Sequence, residues 1–244
     1  MTATEVELRR DLAACYRIFD HLGWTELIYN HITVKIPGPD HHFLINPFGL
    51  MYAEVTASNL LKVDLQGNIV GASRYPVNPA GFVTHSAIHE ALPQAACVMH
   101  THTTAGMAVA CKENGLAMTN FYSAMLYGQV AYHGFEGITV NPDEKARLVA
   151  SLGGCRQLIL RSHGLLTWGE SIPEAFARMW TLNRACEIQV ASGSMAGADI
   201  EIPRGVCEQA SREALQFKPE YGAGADVFAA LRRVIDAEGP DYTD

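Results

Sequence analysis

Short apolar runs that fit buried strands alternate along this chain with stretches of helical periodicity, and this alternation constrains the fold more than any other feature. The runs 97–100 and 156–161 predict strands. The spacing of Phe82, His85 and His89 predicts a helix between them. Because strands flanked by helices stack as layers, the pattern predicts an α/β protein with helices packed on a sheet.

The same patterns predict the remaining elements. A capping box at Thr4 and Glu7 predicts a first helix that ends near Gly23. The strict alternation of residues 31–36 predicts a half-buried strand. Further strands are predicted at 42–45, 61–64, 69–70 and 165–168, and further helices at 103–111, from Pro142, from Ser171, at 206–215 and at 227–237.

Length and composition fit one main domain with an appendage. The 244 residues are 48% hydrophobic and 18% charged, which is enough apolar material for a substantial core. We expect residues 1–200 to form the main domain. Residues 201–244 are expected to form a helical tail that packs against this core or against another subunit.

The charge balance excludes several classes of partner. With 26 acidic and 18 basic side chains the formal net charge is −8, and no lysine–arginine cluster interrupts it, so we expect no nucleic-acid partner. No apolar run is long enough to span a bilayer, and the first residues lack the pattern of a secretion signal. We therefore expect a cytoplasmic protein without a membrane partner, in which the six scattered cysteines stay reduced.

Two of the predicted strands lead into histidines. His100 and His102 are two residues apart, so the alternation of a strand directs both imidazoles to the same side. His163 closes the second apolar run. Imidazole nitrogen suits zinc, manganese, iron and cobalt, and three such ligands leave positions open for water or substrate. The competing interpretation is that each histidine is a hydrogen-bonded structural residue.

These histidines stand in segments that resemble the class II aldolase and adducin family. The resemblance covers about residues 10–200 and rests on the His-x-His pair and on the segment 161–164, with support from 23–33, 46–50 and 81–88. The supporting segments are more similar to adducin heads and their bacterial relatives than to the sugar-phosphate aldolases. The resemblance implies a three-layer α/β/α sandwich, a homotetramer, and a divalent metal, zinc or manganese, held by His100, His102 and His163.

One departure from the aldolases changes the predicted substrate. Those enzymes carry a Ser-Ser-Glu segment whose serines help to hold a phosphate and whose glutamate is an acid–base group, whereas this chain has Pro79-Ala80-Gly81. Without the two hydroxyls the phosphate cradle is weak, so we predict an unphosphorylated substrate. Asn30 and the backbone at Gly49 are the candidates that are left to bind it.

The missing carboxylate also bears on the reaction. Retro-aldol cleavage needs a base, whereas decarboxylation generates an enolate directly and then needs only a proton donor. His85 and Tyr122 are the candidate donors, and Arg74 or Arg161 could hold a carboxylate bidentately. We therefore predict a metal-dependent carbon–carbon lyase acting on a small carbonyl compound or hydroxy acid, and favour a decarboxylase over an aldolase.

Two other functions are compatible with the same residues. A non-catalytic oligomerisation module similar to an adducin head would keep the fold and leave the histidines as remnants. A metal-dependent epimerase or dehydratase would use the same ligands. Clustered histidines have no packing advantage over apolar residues, which favours a metal site over a scaffold.

Overall fold

A computed structural model describes residues 1–138, 141 and 143–244 of the chain. Its centre is a seven-stranded sheet, in which only the pair at one edge is parallel and every other neighbouring pair is antiparallel. The strands are β1 His31–Lys35, β2 Phe43–Ile45, β3 Leu61–Val63, β4 Cys97–Thr101, β5 Val130–His133, β6 Gln157–Leu160 and β7 Gly164–Gly169. Their order across the sheet is β3-β2-β1-β4-β7-β6-β5, and β5 and β6 form the parallel pair.

Helices cover both faces of this sheet. They are α1 Ala3–His21, α2 Pro79–Ala91, α3 Thr104–Ala110, α4 Phe121–Met125, α5 Glu144–Leu152, α6 Ile172–Gly193, α7 Arg204–Glu213 and α8 Ala225–Glu238. One core cluster joins α2 and α5 to the sheet, and the larger cluster joins α1, α3, α6 and α8 to its other face. The predicted three-layer α/β/α architecture is confirmed.

Several predicted boundaries need correction. The first helix is capped by the Thr2 hydroxyl, which accepts a hydrogen bond from the Glu5 amide, instead of by the predicted box at Thr4. The predicted strand 69–70 is reduced to a single bridge between Val63 and Ile69. Strand β5 and helix α4 were not predicted, and Pro142 lies outside the described residues.

The strand β1 is buried on both faces, which corrects the predicted half-buried strand. Ile32 and Val34 point into the larger core, whereas His31 and Thr33 point to the other side, where helix α2 covers them. Only 6% of His31 and 1% of Thr33 is exposed. The polar face of the strand can be buried because a side chain of α2 forms hydrogen bonds with His31 and Thr33.

The C-terminal segment packs against the core of the same chain. Helix α8 contacts α1 and α6, and its Phe228 and Ile235 are part of the larger core cluster. Tyr242 is fully buried in the same cluster. Residues 201–244 are expected to pack against this core or against another subunit, and the structure shows the contact with the core of the same chain. No helix among the described residues has the length and apolar character that crossing a membrane requires.

Candidate metal centre

The histidine triad, which consists of His100, His102 and His163, gathers at one end of the sheet. His100 lies near the end of β4, His102 follows that strand, and His163 lies in the turn between β6 and β7. Because β4 and β7 are antiparallel neighbours, the end of one strand meets the start of the other. The potential ligand atoms of the triad lie within 4.8 Å of one another. The structure therefore brings together the three residues that the sequence singled out.

A tight turn directs His163 toward the other two histidines. Ser162 adopts the left-handed conformation, with φ of 56°, which is uncommon for residues other than glycine. The Ser162 amide donates to the Ala110 carbonyl, and the His163 amide donates to the Leu160 carbonyl, both at 3.1 Å. These two hydrogen bonds hold the strained turn, and they place the third imidazole.

Gly164 leaves the space that the triad needs. A Cβ atom at this position would lie 2.5 Å from the Thr101 carbonyl oxygen and 3.0 Å from Cδ2 of His102. The carbonyl belongs to the backbone of β4 and cannot move without disturbing the strand. A side chain at 164 is therefore incompatible with this arrangement of His102 and His163.

The substitution Gly164→Ala is expected to destabilise the protein and loosen the triad. The added methyl group must displace either the turn or strand β4, at a cost of about 1–3 kcal/mol in the free energy of unfolding. Chemical denaturation and metal content by mass spectrometry measure the two effects. Gly134→Ala is the matched control, because a Cβ there meets nothing within 4 Å. Equal stability and metal content in the two variants would contradict this role of Gly164.

The hydrogen bonds of His100 prepare it as a ligand. Its Nδ1 lies 2.9 Å from the Leu165 carbonyl oxygen, which can only accept, so Nδ1 carries the proton and Nε2 keeps a lone pair. That Nε2 is 2.8 Å from Nε2 of His102. Both nitrogens would serve as ligands to a bound zinc, and the two rings would separate slightly to admit it.

Burial keeps the triad neutral. It lowers the pKa of His163 to about 4, with a further contribution from the neighbouring His102. Burial also lowers the pKa of His102, and it lowers that of His100 well below its usual range, with help from the other histidines. Because only a neutral imidazole can bind a metal, these donors are ready near pH 7. The donor set and its surroundings fit a divalent cation of the zinc type.

A second group of histidines lies directly behind the triad. We call it the histidine chain, and it consists of three histidines, His31, His85 and His89, with Thr33 between the last two. His31 Nδ1 lies 2.8 Å from His85 Nε2, and His85 Nδ1 lies 2.8 Å from Thr33 Oγ1. Thr33 Oγ1 lies 2.7 Å from His89 Nε2, and His89 Nδ1 lies 2.8 Å from the Ala95 carbonyl oxygen. Sequence reasoning singled out only His85 of this group. The alternation of polar residues in β1 is the available signal, but by itself it predicts a face exposed to solvent.

The position of His85 corrects its predicted role. Its side chain is fully buried, and both of its ring nitrogens are hydrogen-bonded, one to His31 and one to Thr33. A donor to substrate must reach the substrate directly or through one water. His85 therefore has no free nitrogen for a substrate atom, and its hydrogen-bonded connection toward the site runs through His31.

Asn30 and Gly49 lie on loops at the same end of the sheet. Asn30 directly precedes His31, with φ of 67°. Its side-chain oxygen and nitrogen are buried, and both are without a hydrogen-bond partner among the described residues. Gly49 has φ of 100° and open space where a Cβ would point. The rings of Tyr29 and Phe48, 6.3 Å apart, connect these two loops.

The two predicted arginines lie in different places. Arg161 lines a small pocket together with His163, but its guanidinium donates to the Lys112 carbonyl and stacks on the Tyr132 ring. Arg74 stacks on Tyr75 and lines a surface hollow beside β3. No residue of the triad lines that hollow, so the hollow does not connect Arg74 to the triad within one chain.

Tyr122 is also separate from the triad within one chain. It lies on α4, where its ring packs edge-on against Trp180 and lines an apolar hollow formed with α6. None of the triad residues lines this hollow. The role of Tyr122 as a proton donor therefore stays a prediction, and this hollow does not connect Tyr122 to the triad of its own chain.

The fold and site together define an α/β protein with a cluster of three histidines, suited to hold a metal, at the end of a mixed sheet, and comparison with known proteins identifies its family. The model of the Class II Aldolase and Adducin N-terminal domain matches residues 10–190. Alpha-adducin of Rattus norvegicus is 44% identical over 245 residues, which cover 95% of this chain and 33% of the adducin. This chain belongs to the class II aldolase and adducin family.

Two solved structures extend the similarity to three dimensions. An aldolase II superfamily protein from Pseudomonas syringae superposes with a TM-score of 0.93 at 43% identity, over 100% of this chain and 98% of that one. An L-fuculose 1-phosphate aldolase from Glaciozyma antarctica superposes with a TM-score of 0.86 at 32% identity, over 99% and 95% of the two chains. The similarity therefore extends beyond the family domain into the C-terminal segment.

Proposed function

We propose that this protein is a metal-dependent carbon–carbon lyase that acts on a small, unphosphorylated carbonyl compound or hydroxy acid. The observation that carries the proposal is the triad of neutral, converging imidazoles at an accessible end of the sheet. His100, His102 and His163 would hold zinc or manganese. A divalent metal at this position supplies a Lewis acid that stabilises negative charge developing on a substrate oxygen.

Asn30 and Gly49, at the same end of the sheet as the triad, offer uncharged polar groups to the substrate. Asn30 offers two buried polar atoms without partners, a situation that costs free energy unless a ligand or water satisfies them. The backbone at Gly49 borders open space on the adjoining loop. Where the aldolases that this chain resembles carry the serines and the glutamate, the segment 79–81 offers neither hydroxyl nor carboxylate. This favours a substrate without a phosphate group.

Within this class, decarboxylation of a β-keto or o-hydroxy-aromatic acid is the first reaction to test. It needs charge stabilisation and one protonation, whereas aldol cleavage also needs a base for the substrate hydroxyl. The likeness to an L-fuculose 1-phosphate aldolase makes cleavage of a sugar phosphate the necessary comparison.

The experiment compares three substrate groups on protein loaded with zinc or manganese. The groups are β-keto and o-hydroxy-aromatic acids, unphosphorylated aldols, and L-fuculose 1-phosphate, with release of carbon dioxide or aldehyde as the readout. We expect turnover in one of the first two groups and its loss in His102→Ala. Turnover of the sugar phosphate alone would contradict the proposed substrate class, and turnover of none by metal-loaded protein would count against the lyase.

A non-catalytic assembly module is the second candidate, and the identity to alpha-adducin favours it. An epimerase or dehydratase using the same ligands is a third, which the substrate panel separates by its products. A homotetramer in the cytoplasm is part of the proposal. Sedimentation analysis tests the tetramer, since a monomer would contradict it.

A further inference from the structure

The direction in which hydrogen bonds are donated along the histidine chain is fixed by the Ala95 carbonyl oxygen at its end. The Ala95 carbonyl oxygen can only accept, so His89 carries its proton on Nδ1 and presents a lone pair on Nε2. The Thr33 hydroxyl must then donate its single hydrogen to His89. Since that hydrogen is used, Thr33 accepts from Nδ1 of His85.

The same logic fixes the histidine at the other end. With its proton on Nδ1, His85 accepts at Nε2 from Nδ1 of His31, 2.8 Å away. His31 therefore carries its proton on Nδ1 and keeps a lone pair on Nε2. Burial lowers the pKa of His89 to about 3, so this imidazole holds one proton near pH 7, and the hydrogen bonds that start from it assign one proton to each ring of the chain.

His31 borders the triad, and the absence of a side chain at Gly81 makes room for it. The His31 ring centroid lies 5.2 Å from that of His100, with the planes tilted by 33°. A Cβ at Gly81 would lie 2.2 Å from Cδ2 and 2.6 Å from Nε2 of His31. The imidazole thus occupies the space that a side chain at 81 would take. Among the described residues, Nε2 has no hydrogen-bond partner.

We propose that the histidine chain locks His31 in its Nδ1-protonated tautomer, so that Nε2 accepts a hydrogen bond from a hydroxyl group of a substrate bound at the triad. His31 is then the residue that selects hydroxylated substrates, and Thr33, His85 and His89 are positioning residues that act through it. This inference rests on the proposed function for the presence of the metal-bound substrate. The tautomer itself does not depend on metal or turnover.

The tautomer is measured directly by long-range ¹H–¹⁵N correlation spectra of the histidine rings in metal-free protein at neutral pH. We expect His31, His85 and His89 each to show a protonated Nδ1 and an unprotonated Nε2. Thr33→Val removes the hydroxyl with little change in shape, and it should mix the tautomers of His31 and His85. Thr33→Ser keeps the hydroxyl and should retain the original pattern. A protonated Nε2 on His31 in the unmodified protein would overturn the proposal.

The acceptor role is measured by ligand selectivity of cobalt-loaded protein. The probes are glycolate and acetate, which differ by one hydroxyl, and the readout is the cobalt absorption spectrum during titration. The preference for glycolate should fall about five- to tenfold in His31→Phe, as expected for one hydrogen bond. Thr33→Val should lower the preference in the same direction, whereas Thr33→Ser should preserve it.

The outcomes separate this inference from the proposed function. Cobalt content is measured for every variant, so a loss of selectivity is not confused with a loss of metal. Protein that binds cobalt and keeps an unchanged glycolate preference in His31→Phe overturns the role of His31 and leaves the lyase standing. Protein that binds no cobalt overturns the lyase and the acceptor role of His31, whereas the spectra of metal-free protein decide the tautomer. Selectivity that depends on His31 without turnover of any substrate supports the inference and contradicts the lyase.

Discussion

Protein purified without added metal is expected to hold about one divalent cation per chain, and His102→Ala is expected to lose it. The triad supplies three neutral imidazoles whose ligand atoms lie within 4.8 Å of one another. Removing His102 leaves two ligands, one of them in a strained turn. Changes to residues that only support a ligand weaken binding by about 10- to 100-fold, so loss of a ligand should cost at least that much.

Metal content by mass spectrometry, followed by titration of zinc into chelator-treated protein, measures this prediction. His42→Ala is the control, because His42 is a histidine outside both the triad and the histidine chain. The unmodified protein and the control should behave alike. Absence of metal from all three proteins, even after titration, would favour the assembly module. Retention of metal by His102→Ala would show that the triad is not the site.

Local patterns were sufficient to predict the triad and the layers. A two-residue spacing at the end of an apolar run fixes the side to which His100 and His102 point, and the same pattern predicts the strand before His163. Alternating strand and helix patterns predict stacked layers without any knowledge of strand order. These inferences hold because each depends on residues that are close together in the chain.

The histidine chain could not be predicted in this way. Thr33 and His89 are separated by 56 residues and meet only because α2 packs across β1. A strand with one polar face is ordinarily exposed on that face, and its periodicity is the same when a helix bearing two histidines covers it. The burial of His31 therefore depends on tertiary packing.

The positions of Tyr122 and Arg74 could not be predicted for a related reason. Tyr122 and Arg74 have suitable chemistry, but sequence alone does not show which end of the sheet a loop or helix approaches. The structure places one against α6 and the other beside β3. From sequence, Gly81 indicates the loss of an acid–base group. The structure adds that the missing side chain leaves the space that the His31 ring occupies.

Metal-free protein is expected to lose stability steadily as the pH falls below about 6.5, and His89 should account for a separable part of that loss. Burial is the main reason that the pKa of His89 falls from 6.5 to about 3, with the nearby Lys35 also lowering it and the hydrogen bond to Ala95 opposing the shift. Between these values the unfolded chain binds a proton that the folded protein rejects, so protons favour unfolding. The contribution of His89 is complete above pH 6.5 and declines by about 1.4 kcal/mol per pH unit toward pH 3.

Urea denaturation of chelator-treated protein at several pH values between 7 and 4.5 measures the free energy of unfolding, and His89→Gln isolates the contribution of this imidazole. The variant is expected to be less stable at pH 7, because an amide does not reproduce the geometry in which His89 bonds both Thr33 and the Ala95 carbonyl, so the comparison uses the slope with pH instead of the absolute value. We expect the free energy of unfolding of the variant to change less steeply with pH, by about 1.4 kcal/mol per pH unit, which corresponds to one proton. Parallel curves would mean that His89 binds its proton equally well in the folded and the unfolded protein, and this would contradict a buried His89 that stays neutral below pH 6.5.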